Sequence, residues 1–172
     1  RGKIAYDQET AHQLASGLAE DDAVTMLRAA ADWLRGREDV RAQAVGVIGW
    51  CMGGEFSIRL AAADPAIRAC VMYYGAPITD PNAIGGIQAA VLGHFGGEDK
   101  GPSPDQVKAF ETALKKAGRK AEIKIYPGAG HAFANVNNPW GGYREGAAKE
   151  AWARTLAFFD HELKKGSRPK GV

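Results

Sequence analysis

Three observations predict an α/β fold, an open and mostly parallel sheet flanked by helices, for this 172-residue chain. Short apolar runs recur at 44–50, 69–75, 89–97 and 121–128. Segments of helical period separate them. The composition, 45% hydrophobic and 24% charged, supplies one core and too little for two, so residues 1–172 are expected to form a single domain.

Residues 20–37, EDDAVTMLRAAADWLRGR, place Val24, Leu27, Ala31 and Leu34 three or four apart, with acidic residues in the first turn and basic ones in the last. That is the signature of an amphipathic helix. The run AVGVIGW at 44–50 is β-branched and does not alternate, which suits a central parallel strand covered on both faces. ACVMYYG and AAVLGHFGG share this character, and AEIKIYPG alternates more clearly. Helices are expected at 54–63, at 104–117 opened by Ser103 or Pro104, and from about Tyr143 to Leu163 with Trp152, Leu156 and Phe159 on one face. The Pro/Gly/Asn-rich stretch 76–88 reads as a loop, and the basic tail KKGSRPKGV as a solvated, frayed end.

Charge and composition exclude several functions. With 22 basic against 20 acidic residues the net charge is +2, which gives no field to gather nucleic acid. No stretch approaches the roughly 18 apolar residues of a membrane span, and no signal peptide is visible at Arg1. Two cysteines make no disulfide framework, and no clustered Cys/His spacing suggests zinc.

In an open parallel sheet, chemistry belongs at the carboxyl ends of the strands. Gly49-Trp50-Cys51-Met52-Gly53-Gly54 follows the first strand and precedes a helix, a G-x-nucleophile-x-G elbow with cysteine where serine is more usual. Glycines two before and two after Cys51 are expected to avoid collisions in that tight turn. Cys51 would sit at a helix N-terminus, which favours a thiolate. Asp99 follows the third strand in Gly96-Gly97-Glu98-Asp99, and His131 follows the fourth in Gly128-Ala129-Gly130-His131. The order nucleophile, acid, histidine is that of the α/β-hydrolase triad. His131 would move the thiol proton while Asp99 fixes the imidazole tautomer. Glu98 competes with Asp99 for the acid role. Cys70, in an apolar strand, reads as a small buried hydrophobe, and His94 as a satisfied core residue. His12 and His161 lack a site context. Trp50 either lines the pocket or packs beneath the elbow.

These residues resemble the dienelactone hydrolase family, the carboxymethylenebutenolidases, over nearly the whole chain. The resemblance rests on the elbow at 49–54, Tyr73-Tyr74-Gly75, Gly97-Glu98-Asp99 and Gly130-His131-Ala132-Phe133-Ala134. It implies the α/β-hydrolase fold, with this chain its C-terminal part, and Cys51, Asp99 and His131 as triad. It further implies the Met52 N–H as oxyanion donor, and Trp50, Tyr74, Phe133 and Asn135 as substrate contacts. Family members hydrolyse dienelactones to maleylacetate in aromatic-compound breakdown through a thioester, without metal or organic cofactor; relatives take other small esters or lactones. The implied partner is a small-molecule lactone or ester, and the family habit favours a cytoplasmic location.

Two departures shape the expectations. The family commonly carries an arginine four residues beyond the histidine, where this sequence has Asn135, and nothing aims Arg144 at the pocket as a substitute. The resemblance also begins mid-domain, with the family's first strands, second oxyanion donor and thiol-activating glutamate upstream of Arg1; Glu55 is not that glutamate. The strand at 44–50 would then be an apolar edge, and an N-terminal companion segment of the same protein is expected. The alternative is a catalytically incomplete fragment or interaction module that retains the elbow.

Overall fold

The computed structural model describes residues 3–40, 44–138 and 141–164. Its centre is a four-stranded sheet of β1 (Val45–Trp50), β2 (Ile67–Tyr73), β3 (Ala90–Gly96) and β4 (Ala121–Tyr126), paired in the order β1-β2-β3-β4. Every pair is parallel. Among the described residues six helices accompany it: α1 (Gln8–Ser16), α2 (Glu20–Arg35), α3 (Met52–Ala63), α4 (Pro81–Gly86), α5 (Pro104–Lys116) and α6 (Glu145–Lys164).

Side-chain alternation along the strands sorts the core into two layers. Cys70, Met72, Val91 and Phe95 face one side and pack with Ile58 and Leu60 of α3 and Phe110 and Leu114 of α5. Val71, Tyr73 and Leu92 face the other, with Tyr126, Phe133 and Ala151 of α6. Apolar residues on both faces explain why β2 and β3 show no alternation in sequence: every residue of β3 is buried. Phe95 alone, fully buried, contributes about 2–3 kcal/mol of transfer free energy.

Helix boundaries follow local chemistry. Ser103 caps α5 in a reciprocal capping box with Gln106, and Pro104 occupies the first turn, where its missing N–H costs nothing. In α2 the four residues of the expected stripe, Val24, Leu27, Ala31 and Leu34, are all half-buried or buried. Its first turn is tied to α3 through a Glu20–Arg59 ion pair.

Several expectations are corrected. Stretch 76–88 contains α4: Asp80 accepts hydrogen bonds from the Asn82 and Ala83 amides and Pro81 opens the turn, so the loop-like composition is a capped short helix. Helix α1 was not expected, because it buries no residue and so leaves no apolar period; Asp7 caps it through the Thr10 amide at 2.7 Å. Helix α3 begins at Met52, directly after the cysteine. Composition alone reads β1 as central, whereas a resemblance that begins mid-domain reads it as an edge; it is an edge, with β2 as its one neighbour among the described residues. Trp152, Leu156 and Phe159 do share one face of α6, but Trp152 and Leu156 on it are 48% and 52% exposed, and the residues the helix buries are Ala151, Thr155 and Glu162. The basic tail from 165 onward lies outside the described residues. Among those described, no helix is long and apolar enough to cross a membrane.

The exposed stripe on α6 has a definite place. Arg154 pairs with Glu122 of β4, which fixes one flank of the helix over that strand. A Cβ at Gly46 of β1 would meet Phe159 and Leu163, so the opposite flank lies at β1. Trp152 and Leu156 continue that flank, beside the open β1 edge, where Trp50 is 43% exposed.

Candidate active site

The turn from β1 into α3 places Cys51 at φ 53°, ψ −121°, a backbone conformation L-residues seldom adopt and one that tertiary contacts must hold. The Cys51 N–H donates to the Tyr73 carbonyl at 3.0 Å, and its own carbonyl accepts from the Glu55 N–H at 3.1 Å. Ser57 pins the Gly53 carbonyl at 2.8 Å, drawing it under the strand end. A Cβ on Gly49 would lie 2.0 Å from that carbonyl oxygen. Gly53 differs from expectation: a Cβ there meets nothing within 4 Å, because its side-chain direction points out of the first turn of α3. Steric demand falls instead on Gly54, whose Cβ would lie 2.9 Å from the Tyr73 carbonyl oxygen.

These contacts predict opposite outcomes for two neighbouring glycines. Gly49→Ala is expected to lower stability by about 3 kcal/mol or more, since backbone, not a flexible side chain, must move. Gly53→Ala is expected to be neutral or to gain up to about 1 kcal/mol from helix propensity. Urea denaturation of both variants checks the pair; equal destabilisation would contradict the elbow's packing.

Asp99 and His131 arrive from the neighbouring strand ends. The histidine loop crosses over the end of β3, where a Cβ on Gly96 would lie 2.4 Å from the Ala129 carbonyl oxygen. The Glu98 N–H donates to that same carbonyl at 2.9 Å, stitching the acid loop to the histidine loop. Within this frame Asp99 Oδ2 lies 2.9 Å from His131 Nδ1, and His131 Nε2 lies 3.3 Å from Cys51 Sγ. Asp99 Oδ1 accepts from the Gly101 N–H at 2.9 Å. The Asp99 side chain is 2% exposed, the imidazole 27%, and Cys51 opens to solvent. The three residues that follow separate strands in sequence are therefore contiguous in space. Glu98, the competing acid, is exposed.

The remaining expected residues fall in varied places. Met52 is the first residue of α3, so helix geometry leaves its N–H without an intrahelical acceptor. Trp50 stacks on Tyr73 at 5.4 Å. Tyr74 is buried and sets its ring edge-on to the His131 ring at 5.3 Å. Its burial, and secondarily Cys51 beside it, push the phenol pKa up, so Tyr74 stays neutral. Phe133 is fully buried in the core beneath the loop and offers a substrate no surface. Asn135 is exposed and its side chain accepts from the Asn137 N–H at 3.0 Å, closing its own turn. Glu55 is engaged by Arg59.

Cys70 is fully buried, and burial pushes its thiol pKa up, so it stays protonated. His94 lies in the core between the Tyr126 hydroxyl and the Thr155 hydroxyl, each at 3.1 Å. Among the described residues no group of three or more His, Cys, Asp or Glu could hold a metal ion. Sequence reasoning missed Asn138, whose buried amide donates to the His131 carbonyl at 2.9 Å; a lone loop asparagine carries no signal of that contact.

Comparison with known proteins completes the description. Residues 1–163 match the model of the Dienelactone hydrolase family. A "Putative carboxymethylenebutenolidase" of Salmonella typhimurium is 36% identical over 122 residues, 66% of this chain and 44% of that protein. A "Probable 2-oxo-3-(5-oxofuran-2-ylidene)propanoate lactonase" of Bradyrhizobium is 32% identical over 145 residues, 78% of this chain and 57% of that protein. The crystal structure of a "Putative Dienelactone Hydrolase" from Klebsiella pneumoniae superposes with a TM-score of 0.80 at 30% identity, covering 91% of this chain and 68% of that one. The chain spans about half the length of these curated relatives.

Proposed function

The chain belongs to the dienelactone hydrolase family, and on that premise we propose that it carries the reacting residues of a hydrolase that opens a small lactone or carboxylic ester by acyl transfer to Cys51. Its parallel sheet with helices on both faces is the α/β-hydrolase arrangement of the family's solved members. The observation that carries the reading is the continuous chain from Asp99 through His131 to Cys51 Sγ, with hydrogen-bond distances at both links.

The chemistry follows from those distances. Asp99 accepts from His131 Nδ1–H, which leaves Nε2 bare to take the proton of the Cys51 thiol. The thiolate attacks the substrate carbonyl carbon, and the negative charge on its oxygen is met by the Met52 N–H and the positive end of α3. Collapse breaks the carbonyl-carbon-to-oxygen bond of the ester or lactone, and His131 returns its proton to the departing oxygen. Water then attacks the thioester, again losing a proton to His131, and the thiolate leaves. Tyr74 supports the imidazole from the side away from solvent.

The reading includes a companion segment of the same protein along the open edge of β1. A strand edge unpaired among the described residues and flanked by exposed Trp50, Trp152 and Leu156 is a surface that folded proteins ordinarily cover. That same edge favours a second reading, a catalytically incomplete module, since the Cys51 N–H is already spent on Tyr73 and a second oxyanion donor must come from elsewhere.

Mixing the chain with p-nitrophenyl acetate separates the two. The hydrolase gives a burst of nitrophenolate, an acyl adduct on Cys51 by mass spectrometry and continued turnover, all lost in Cys51→Ala. A module gives the adduct at most once, and a burst that persists in Cys51→Ala removes Cys51 from the chemistry.

A further inference from the structure

We propose that Asn138 and Arg144 are positioning residues, a two-point clamp that sets the backbone of the histidine loop so that the imidazole meets Cys51; the inference rests on reading Cys51 and His131 as the reacting pair. Asn138 is buried, and its amide nitrogen donates to the carbonyls of both His131, at 2.9 Å, and Ala132, at 3.2 Å. Ala132 holds φ at 56°, which costs a residue with a Cβ about 1–2 kcal/mol, and this kink lets two successive carbonyls converge on one donor. Arg144 fastens the loop's ends. Its Nε donates to the Gly128 carbonyl at 2.9 Å, three residues before His131, while Nη1 donates to the carbonyls of Gly141 and Tyr143 at 3.2 and 3.0 Å. The Arg144 backbone N–H donates to the Phe133 carbonyl at 3.0 Å, so the loop is tied to the start of α6 as well.

Asp99 orients the ring but does not determine where the loop backbone sits. The 3.3 Å contact between Nε2 and Sγ therefore depends on what sets that backbone, the Glu98 N–H bond to the Ala129 carbonyl together with the carbonyls that Asn138 and Arg144 hold. A displacement of about 1 Å at reacting atoms costs on the order of 100-fold in rate, and removing the Asn138 amide or the Arg144 guanidinium releases the His131 and Gly128 carbonyls from these bonds.

Alkylation of Cys51 by iodoacetamide, followed from pH 5 to 9 with circular dichroism in parallel, tests the clamp without requiring a hydrolysable substrate. The wild-type chain is expected to react about tenfold faster than His131→Ala near pH 6, where an isolated thiol is protonated. Asn138→Asp keeps the shape but turns a donor into an acceptor facing two carbonyl oxygens, so its profile is expected to fall to that of His131→Ala. Asn138→Ala is expected between the two, and Arg144→Lys, which keeps a donor, above Arg144→Ala. A space-filling role reverses the first order, with Asp better than Ala; that order, or wild-type profiles in both Asn138 variants, overturns the proposal. If an Asn138 variant proves unfolded, equal wild-type-like profiles for Arg144→Ala and Arg144→Lys overturn it instead. A wild-type chain that alkylates no faster than His131→Ala fails at the Cys51–His131 pairing itself and takes the proposed chemistry with it.

Discussion

His131→Ala is expected to lower steady hydrolysis by about 10³- to 10⁴-fold, and Asp99→Asn by about 10²- to 10⁴-fold, with both variants folded. The two losses have different causes. Without the imidazole, any acyl group that an activated ester places on Cys51 stays there, because no base remains to activate water. The thioester should accumulate and be visible as a stable adduct by mass spectrometry. Asp99→Asn acts through the tautomer. Asp99 Oδ1 accepts from the Gly101 N–H at 2.9 Å, so an asparagine keeps its oxygen there and turns its NH₂ toward His131 Nδ1. The imidazole must then accept at Nδ1 and carry its proton on Nε2, the nitrogen 3.3 Å from Sγ. A nitrogen that already bears hydrogen cannot take the thiol's proton. Undiminished turnover in either variant removes that residue from the chemistry.

The clustering of Cys51, Asp99 and His131 is legible from local pattern. Each of Cys51, Asp99 and His131 follows a glycine-marked strand end, and a parallel sheet delivers its strand ends to one side whatever the loops do. The sheet itself was legible because β2 and β3, covered on both faces, are written as unbroken apolar runs. What escaped depends on contacts between segments distant in sequence or on residues with no core role. Helix α1 buries nothing, so no period announces it. Phe133 and Asn135 lie two residues apart on one loop, and only the fold decides that the first turns into the core and the second outward. Trp152, Leu156 and Phe159 do share a stripe of α6, but that stripe meets β1 at its edge, so only the end near Gly46 is covered. The Asn138 contact to the His131 carbonyl is of the same kind: it exists because Ala132 takes a left-handed turn, which no residue type at that position signals.

The other large effect concerns stability and comes from the core behind the site. His94 is fully buried, with Nε2 at the Thr155 hydroxyl and Nδ1 at the Tyr126 hydroxyl, and Thr155 in turn bonded to the Tyr73 hydroxyl at 2.8 Å. Burial foremost, and the nearby Arg154 cation with it, lower the imidazole pKa from 6.5 to about 3; Glu150 opposes them weakly. A neutral ring suits the network, since one nitrogen must accept from a hydroxyl while the other donates. In the unfolded chain the same ring protonates near pH 6.5. Between about pH 6.5 and about 3 the unfolded state therefore binds a proton that the folded state does not, and stability falls as pH falls across that window, by up to about 1.4 kcal/mol per unit. Above pH 6.5 His94 contributes no slope. Asp64, which burial alone would push up but Arg35 holds below the ordinary carboxylate range, adds its own loss only toward the acid end. Urea midpoints measured from pH 7 to 4.5 should thus decline already between 6.5 and 5, where carboxylates scarcely titrate. His94→Gln, which keeps one donor and one acceptor without a titrating ring, should start less stable and lose that early slope. A wild-type decline that begins only below pH 5, or an unchanged slope in His94→Gln, would place the acid sensitivity elsewhere than in this buried ring.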